Sequence, residues 1–445
     1  LRGPIPRPRR VRPRARPMPS LPSADPVREA RAALAAAWAA LPPALRGPTQ
    51  FVGRRSAGCG AVIGAMPRCD FACRGCYLGA GANRARPRPL AEITGQLLQL
   101  RRWLGPGGSV QLTDGELTLR PEPELVAIIA AAHRLGLVPM LMTHGETLRR
   151  RPGLLERLMT EGGLTEIAIH VDTTQRGRRD RYAGARREAE LDGLRAEFAA
   201  MIREARRRTG RRLEAASTVT VTRDNLADVP GVVRWFLGRA DAFKLLSFQP
   251  LAAVGRTDRA LDGVTVEALW DRIAAGAGDP ALARGEGWFG HPACSRFVQG
   301  LAVRPHGGMR LVPLYHRDDP RETDVLAGLL DRLGGATVRG EARPGNLRAL
   351  AAFCARHPGF ALPRLLPQAL RVLHRARTLR GRYFCVVSRH FMSAGETATP
   401  AGRERLAGCS FRGPVDGVLQ PMCAVNALGL RDAFYRAGAA EGPAA

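Results

Sequence analysis

From Gly60 onward the apolar positions switch between two periods. Ala61 to Met66 is a short apolar run that predicts a strand. Leu90, Ile93, Leu97, Leu100 and Leu104 then recur at helical spacing. Ser109 to Thr113 predicts strand two, and Leu125, Ile128, Ile129, Ala132 and Leu135 mark the next helix. Val138 to Thr143 predicts strand three, with Leu154 to Leu158 helical after it. Leu164 to Val171 predicts strand four, followed by a long charged helix over about Arg186 to Arg208. Ala216 to Val221 and Phe243 to Phe248 predict strands five and six, with a helix over Val229 to Leu237 between them. Strands alternating with helices predict an α/β fold with a parallel sheet covered by helices. Periodicity does not separate an open sheet from a barrel.

The alternation has edges. Residues 1–24 hold too few apolar residues to fold alone and predict a disordered basic tail. Residues 25–54 predict a helical segment, with Asp25 as N-cap, Pro26 in the first turn, and Pro42-Pro43 as its stop. The alternating region spans 55–255. Gly255-Arg256-Thr257-Asp258 reads as a linker, and 256–445 as a smaller C-terminal α+β domain.

Charge changes this picture little. The net charge of +28 suggests nucleic acid, an anionic membrane or acidic substrates. Lys244 is the only lysine, however, and Ala, Gly, Arg and Pro are all abundant. A bias applied to solvated faces accounts for most of the charge, so a nucleic-acid partner is not expected. Nine cysteines, an odd number, argue against a disulfide framework. With no export signal and no apolar run of spanning length, the expectation is a cytoplasmic protein with at most peripheral membrane contact. A basic amphipathic stretch, with Leu365, Leu366, Leu370 and Leu373 among Arg364, Arg371, Arg375 and Arg377, suits an anionic lipid surface. An ordinary surface helix with its leucines on the core is the preferred reading.

The candidate chemistry sits after strand one. Cys69, Cys73 and Cys76 form a C-x3-C-x2-C array. Thiolates hold iron–sulfur clusters, and a four-iron cluster takes four ligands. Three close cysteines leave one iron open to a chelating small molecule. A structural zinc site needs four ligands, and no second C-x2-C or H-x3-5-H accompanies this one.

The array resembles the signature of the radical S-adenosylmethionine (SAM) superfamily. Gly75 stands where many members carry an aromatic residue, and Phe71 or Tyr77 would cover the adenine instead. The resemblance implies a partial (β/α)6 barrel, a [4Fe–4S] cluster on Cys69, Cys73 and Cys76, and SAM on the open iron. It implies reductive cleavage of SAM to a 5′-deoxyadenosyl radical that abstracts hydrogen from an unidentified substrate, a lipid or a small molecule. An electron donor such as flavodoxin or ferredoxin would supply the electron. Asp114-Gly115-Glu116, ending strand two, resembles the family's Gly-Gly-Glu motif, with Asp114 in place of the first glycine. There it binds the SAM amino group. Thr143 ends strand three, His170 ends strand four beside Asp172, and Gln249 ends strand six. Thr143 and Gln249 are candidate contacts of SAM, and His170 is a candidate contact of SAM or substrate, with a satisfied core histidine as the equal alternative.

Cys294, Cys409 and Cys423 lie in turn-rich settings. The Asp416-Gly417 turn would fold Cys423 back beside Cys409. These residues resemble the cysteine-bearing C-terminal extensions of radical SAM enzymes, weakly those of the tetraether lipid synthase group, and would hold a second iron–sulfur cluster. Cys385 is a candidate fourth ligand, whereas Cys59 and Cys354 are expected in cores. The rival class is a non-catalytic iron–sulfur or zinc protein that binds nucleic acid through its arginines.

Overall fold

The computed structural model describes residues 25–304, 308–333 and 344–440. The tail at 1–24 lies outside them. Six strands run parallel and pair in chain order: β1 (Cys59–Ala61), β2 (Ser109–Leu112), β3 (Val138–Thr143), β4 (Glu166–His170), β5 (Glu214–Val221) and β6 (Phe243–Pro250). Helices Leu90–Leu104, Glu122–Arg134, Leu154–Thr160, Asp192–Thr209 and Val229–Leu237 lie between successive strands. This is the expected partial (β/α)6 barrel. In β5 every residue after Glu214 is buried, as both faces of a helix-covered parallel strand must be.

Strand one departs from expectation. Its ladder ends at Ala61, although Val62, Ile63, Ala65 and Met66 are buried. The Gln96 side chain explains this. It accepts from the Ile63 amide and donates to the Ile63 carbonyl, each at 2.8 Å, satisfying both groups without a neighbouring strand. Gly64 then turns with φ +79° and directs the chain out toward the cysteines.

The sheet does not stop at residue 255. Three further strands follow at one edge: β7 (Ser295–Val303), β8 (Arg310–Pro313) and β9 (Arg382–Arg389). β9 lies parallel to β6, and β7 pairs antiparallel with both β9 and β8. At the opposite edge β10 (Phe411–Val415) lies parallel to β1 and makes a hairpin with β11 (Val418–Pro421). The order is β11-β10-β1-β2-β3-β4-β5-β6-β9-β7-β8, a single eleven-stranded sheet. Residues after 255 thus extend both ends of the barrel sheet. Among the described residues they build no sheet of their own. Asp416 and Gly417 both have positive φ, +47° and +76°, the turn that a two-residue hairpin favours.

Candidate functional site

The chain leaves β1 through Gly64 and forms the cysteine loop. Backbone bonds pin it to the loop after β4: the Ala72 amide donates to the Arg176 carbonyl at 2.8 Å and the Arg74 amide to Thr174 at 2.9 Å. Asn83 clamps Cys69, accepting from its amide at 3.0 Å and donating to its carbonyl at 3.2 Å. The Thr257 hydroxyl accepts from the Cys76 amide at 3.2 Å. All three thiols are half-buried. Burial first, with the nearby Glu116, Asp70 and Cys76 acting the same way and the Phe71 amide opposing, pushes the Cys69 thiol up to about 12. Cys73 is raised by burial and by Cys76, Asp172 and Cys69. Three thiolates held together repel one another, and a cationic metal group relieves that repulsion. The donor set therefore fits a cluster with three cysteine ligands.

The turn after β2 packs directly on this loop. The Gly115 amide donates to the Met66 carbonyl at 2.6 Å and the Glu116 amide to Arg68 at 2.8 Å. A Cβ on Gly115 would collide with the Arg68 carbonyl, so the approach requires glycine. Asp114 sits at φ 142°, a conformation suited to the glycine it replaces in the motif. Its buried carboxylate accepts from Arg431, from the Gly64 amide and, at 2.5 Å, from the Tyr435 hydroxyl. Burial pushes this carboxyl up, and Arg431 opposes the shift. Tyr77 turns inward: its hydroxyl donates to the Asp114 carbonyl, and the Arg431 guanidinium lies 4.7 Å over its ring. It is therefore part of the Asp114 contact, where sequence reading expected an adenine cover.

Glu116 is only 1% exposed, and both its oxygens have partners. Oε1 accepts from Thr118 Oγ1 at 2.5 Å and Thr143 Oγ1 at 2.7 Å, and Oε2 from the His144 amide at 2.9 Å. The carboxylate thus ties the loop after β2 to the loop after β3. Thr143 also accepts from the Gly145 amide at 2.9 Å.

His144 and Asp70 are further site residues: Asp70 lies inside the cysteine array and His144 directly follows Thr143. The His144 Nδ1 accepts from the Glu146 amide at 3.2 Å, which leaves Nε2–H to donate to Asp70 Oδ1 at 2.8 Å. This bond, first, holds the Asp70 carboxyl below its ordinary range. The imidazole stacks flat on Phe71 with ring centres 3.8 Å apart. Donor atoms of Cys69, Asp70 and His144 lie within 4.8 Å of one another.

His170 and Asp172 do share a side, as strand alternation predicts. His170 Nε2 lies 2.5 Å from Asp172 Oδ2 and 3.2 Å from Thr220 Oγ1. Asp172 also accepts from the Thr220 amide at 2.7 Å and the Thr174 hydroxyl at 2.6 Å. Burial would raise the Asp172 carboxyl, but His170 and these hydrogen bonds hold it well below the carboxylate range. Gln249 is half-buried on β6, in register with Thr220 on β5. All these groups gather at the C-terminal ends of the parallel strands, where parallel barrels carry their function.

The second cysteine group also assembles. Cys294, Cys409 and Cys423 line one cavity of about 40 Å³ with His390, Arg405 and Phe411. The Arg405 Nε donates to Cys294 Sγ at 3.2 Å, and the Met392 amide to Cys423 Sγ at 3.5 Å. Burial first, with Cys409 and Cys294 acting the same way against the Met392 amide, pushes Cys423 up to about 12. Cys385 is elsewhere, on β9 in an apolar cluster with Phe297, Tyr315 and Leu326. Cys59 lies in β1, and Cys354 is half-buried in the helix Pro344–Arg356.

No curated protein matches the chain. A crystal structure of Streptococcus suis SuiB is similar at 14% identity and TM-score 0.35, covering 48% of this chain and 44% of that one. Native anSMEcpe with bound AdoMet is similar at 13% identity and TM-score 0.34, covering 48% of this chain and 57% of that one. The chain thus spans about half the length of these solved proteins. Residues 63–229, from the exit of β1 to the start of the helix before β6, match the Radical SAM superfamily.

Proposed function

We propose that Cys69, Cys73 and Cys76 hold a [4Fe–4S] cluster with SAM on its open iron, and that the protein cleaves SAM reductively. When bound, the cluster supplies the electron for that cleavage. The observation that carries the reading is the three-thiol loop, clamped by backbone hydrogen bonds to the Asp114–Glu116 turn. The chain's own part is positioning. Gly115 lets the turn approach the loop, and Glu116 fixes Thr143 and His144 around it. Glu116 is saturated internally, and Tyr77 and the Leu119 amide engage the Asp114 and Glu116 carbonyls, so the Gly115 carbonyl is the proposed acceptor for an ammonium group. His170, Thr220 and Gln249 lie at the C-terminal ends of β4, β5 and β6, where substrate and the adenosyl group would lie. A small electron-transfer protein such as flavodoxin or ferredoxin is the proposed reductant. Anaerobic reconstitution with iron, sulfide, SAM and dithionite should yield 5′-deoxyadenosine. Its absence, with about four irons bound per chain, would refute the reading.

Cys294, Cys409 and Cys423 are the proposed ligands of a second iron–sulfur cluster. Their shared cavity and mutual electrostatic effect support it. Cys385 is not among these ligands, because it lies in a separate apolar cluster. His390 lines the same cavity, and burial first, then the nearby Arg296 and Arg405, bring its imidazole down to about 3. A neutral imidazole is the form that ligates metal.

A further inference from the structure

The helical stretch 358–376 has two apolar faces, and only one of them meets the core. Phe360, Ala361, Val372 and Ala376 are buried, and Gln368 donates to the Leu314 carbonyl at 2.8 Å. A second row does not pack. Leu362, Leu366 and Leu370 are 67%, 51% and 58% exposed, spaced by four residues so that they form one ridge. The sequence expectation that these leucines face the core is therefore wrong for Leu366 and Leu370. Leu379, just beyond the helix, is 84% exposed, and Leu350 in the preceding helix is exposed too. Five of the ten exposed large apolar residues among the described residues thus lie between residues 350 and 379. Isolated exposed leucines are ordinary, but a concentration of them marks an interaction site.

Charge identifies the partner. Residues 342–395 contain ten arginines and no aspartate or glutamate. Arg375 and Arg364 are engaged by Glu322 and Asp324 of the neighbouring helix Pro320–Leu333. Arg356, Arg377 and Arg380 are exposed, and no carboxylate pairs with them among the described residues. We propose that this face docks on an anionic lipid bilayer, with the leucine ridge entering the acyl boundary and the arginines meeting the headgroups. Nucleic acid would reward the arginines alone. It offers nothing to an exposed leucine ridge, and for that reason the bilayer is the better fit. No helix among the described residues is long and apolar enough to span a membrane, so this contact would be peripheral.

Vesicle flotation with the full chain tests it. The protein should float with vesicles containing phosphatidylglycerol, and much less with pure phosphatidylcholine. The triple variant Leu362→Ser, Leu366→Ser, Leu370→Ser should weaken that binding roughly tenfold or more, because insertion free energy scales with buried methylenes. Its thermal midpoint should stay near that of the wild type. Should the triple variant fold poorly, Leu379→Asp at the most exposed position reports the same loss in smaller degree. Single-stranded DNA serves as a polyanion without an apolar interior. Unchanged vesicle binding by the folded variants, or an equal loss of DNA binding, would overturn the proposal.

Discussion

The two cysteine groups are built in opposite ways. Cys69, Cys73 and Cys76 come from eight consecutive residues on one loop, and backbone hydrogen bonds from the loops after β2 and β4 hold that loop in shape. Cys294, Cys409 and Cys423 come from three segments: the entry to β7, the entry to β10 and the exit of β11. The first group needs little beyond its own loop to bring its thiols together. The second exists only once strands at both ends of the sheet have formed, because β7 lies at one end and β10 at the other. A contiguous site is robust to tertiary loosening, and a dispersed one is not.

Replacing the cysteines separates the two groups most sharply. Cys69→Ala, Cys73→Ala and Cys76→Ala together should abolish 5′-deoxyadenosine formation and remove about four irons per chain. Cys409→Ala with Cys423→Ala should also remove about four irons, but leave 5′-deoxyadenosine formation measurable. Iron analysis and a product assay read both. If the second pair costs no iron, the C-terminal thiols are ordinary buried cysteines and the comparison collapses to one site.

A second prediction joins the two regions. Arg431 contacts Asp114 of the first site. On its other side it donates to Asn426 at 2.9 Å and lies 3.6 Å from the Met422 sulfur, next to Cys423. Both charges are buried, with side-chain exposures of 3% and 0%. Removing one partner of such a pair strands the other, at about 3–5 kcal/mol. Arg431→Met should therefore destabilise the fold by that much in urea and weaken SAM binding. Asp114→Gly added to it should recover most of the loss. It removes the stranded carboxylate and places glycine at φ 142°, where a side chain costs about 1–3 kcal/mol. If the double variant is no better than the single, the pair does not bridge the two regions.

Legibility in the sequence follows the same division. Strands two to six and the cysteine loop carry local signals: a two-residue or 3.6-residue period, or ligands a few positions apart. The apolar run misplaces strand one because the competitor for its hydrogen bonds is a single side chain, Gln96, in the next helix. No local pattern marks β9 as the neighbour of β6, or β10 as the neighbour of β1. Tertiary packing settles those pairings, so the region after 255 reads as a separate unit in the sequence. The partner of Asp114 is invisible for the same reason, since Arg431 lies 317 residues away. Only the Asp416-Gly417 turn foreshadows the cavity of the second site. Its remaining wall, His390 and Arg405, has no sequence signal at all.

The smallest expected effect tests whether the first site is stiff beyond its cysteines. Asp172 gathers His170, Thr174 and Thr220 behind the cysteine loop, and the Arg74 amide bonds to the Thr174 carbonyl in the same place. Asp172→Asn keeps the shape but loses the charge and some of the acceptor capacity. It should cost about 1–3 kcal/mol near neutral pH, the range for a buried hydrogen-bonded group left short of partners. The pH dependence gives the sign. The folded carboxyl lies below its unfolded value, so its contribution is fully present above about pH 4 and fades as pH falls toward the folded value. The stability gap between wild type and Asp172→Asn should therefore be constant from neutral pH down to about pH 5 and shrink below it. A gap that stays constant in acid would mean that Asp172 contributes by shape alone. The loop would then be held by its backbone bonds and not by the charge behind it.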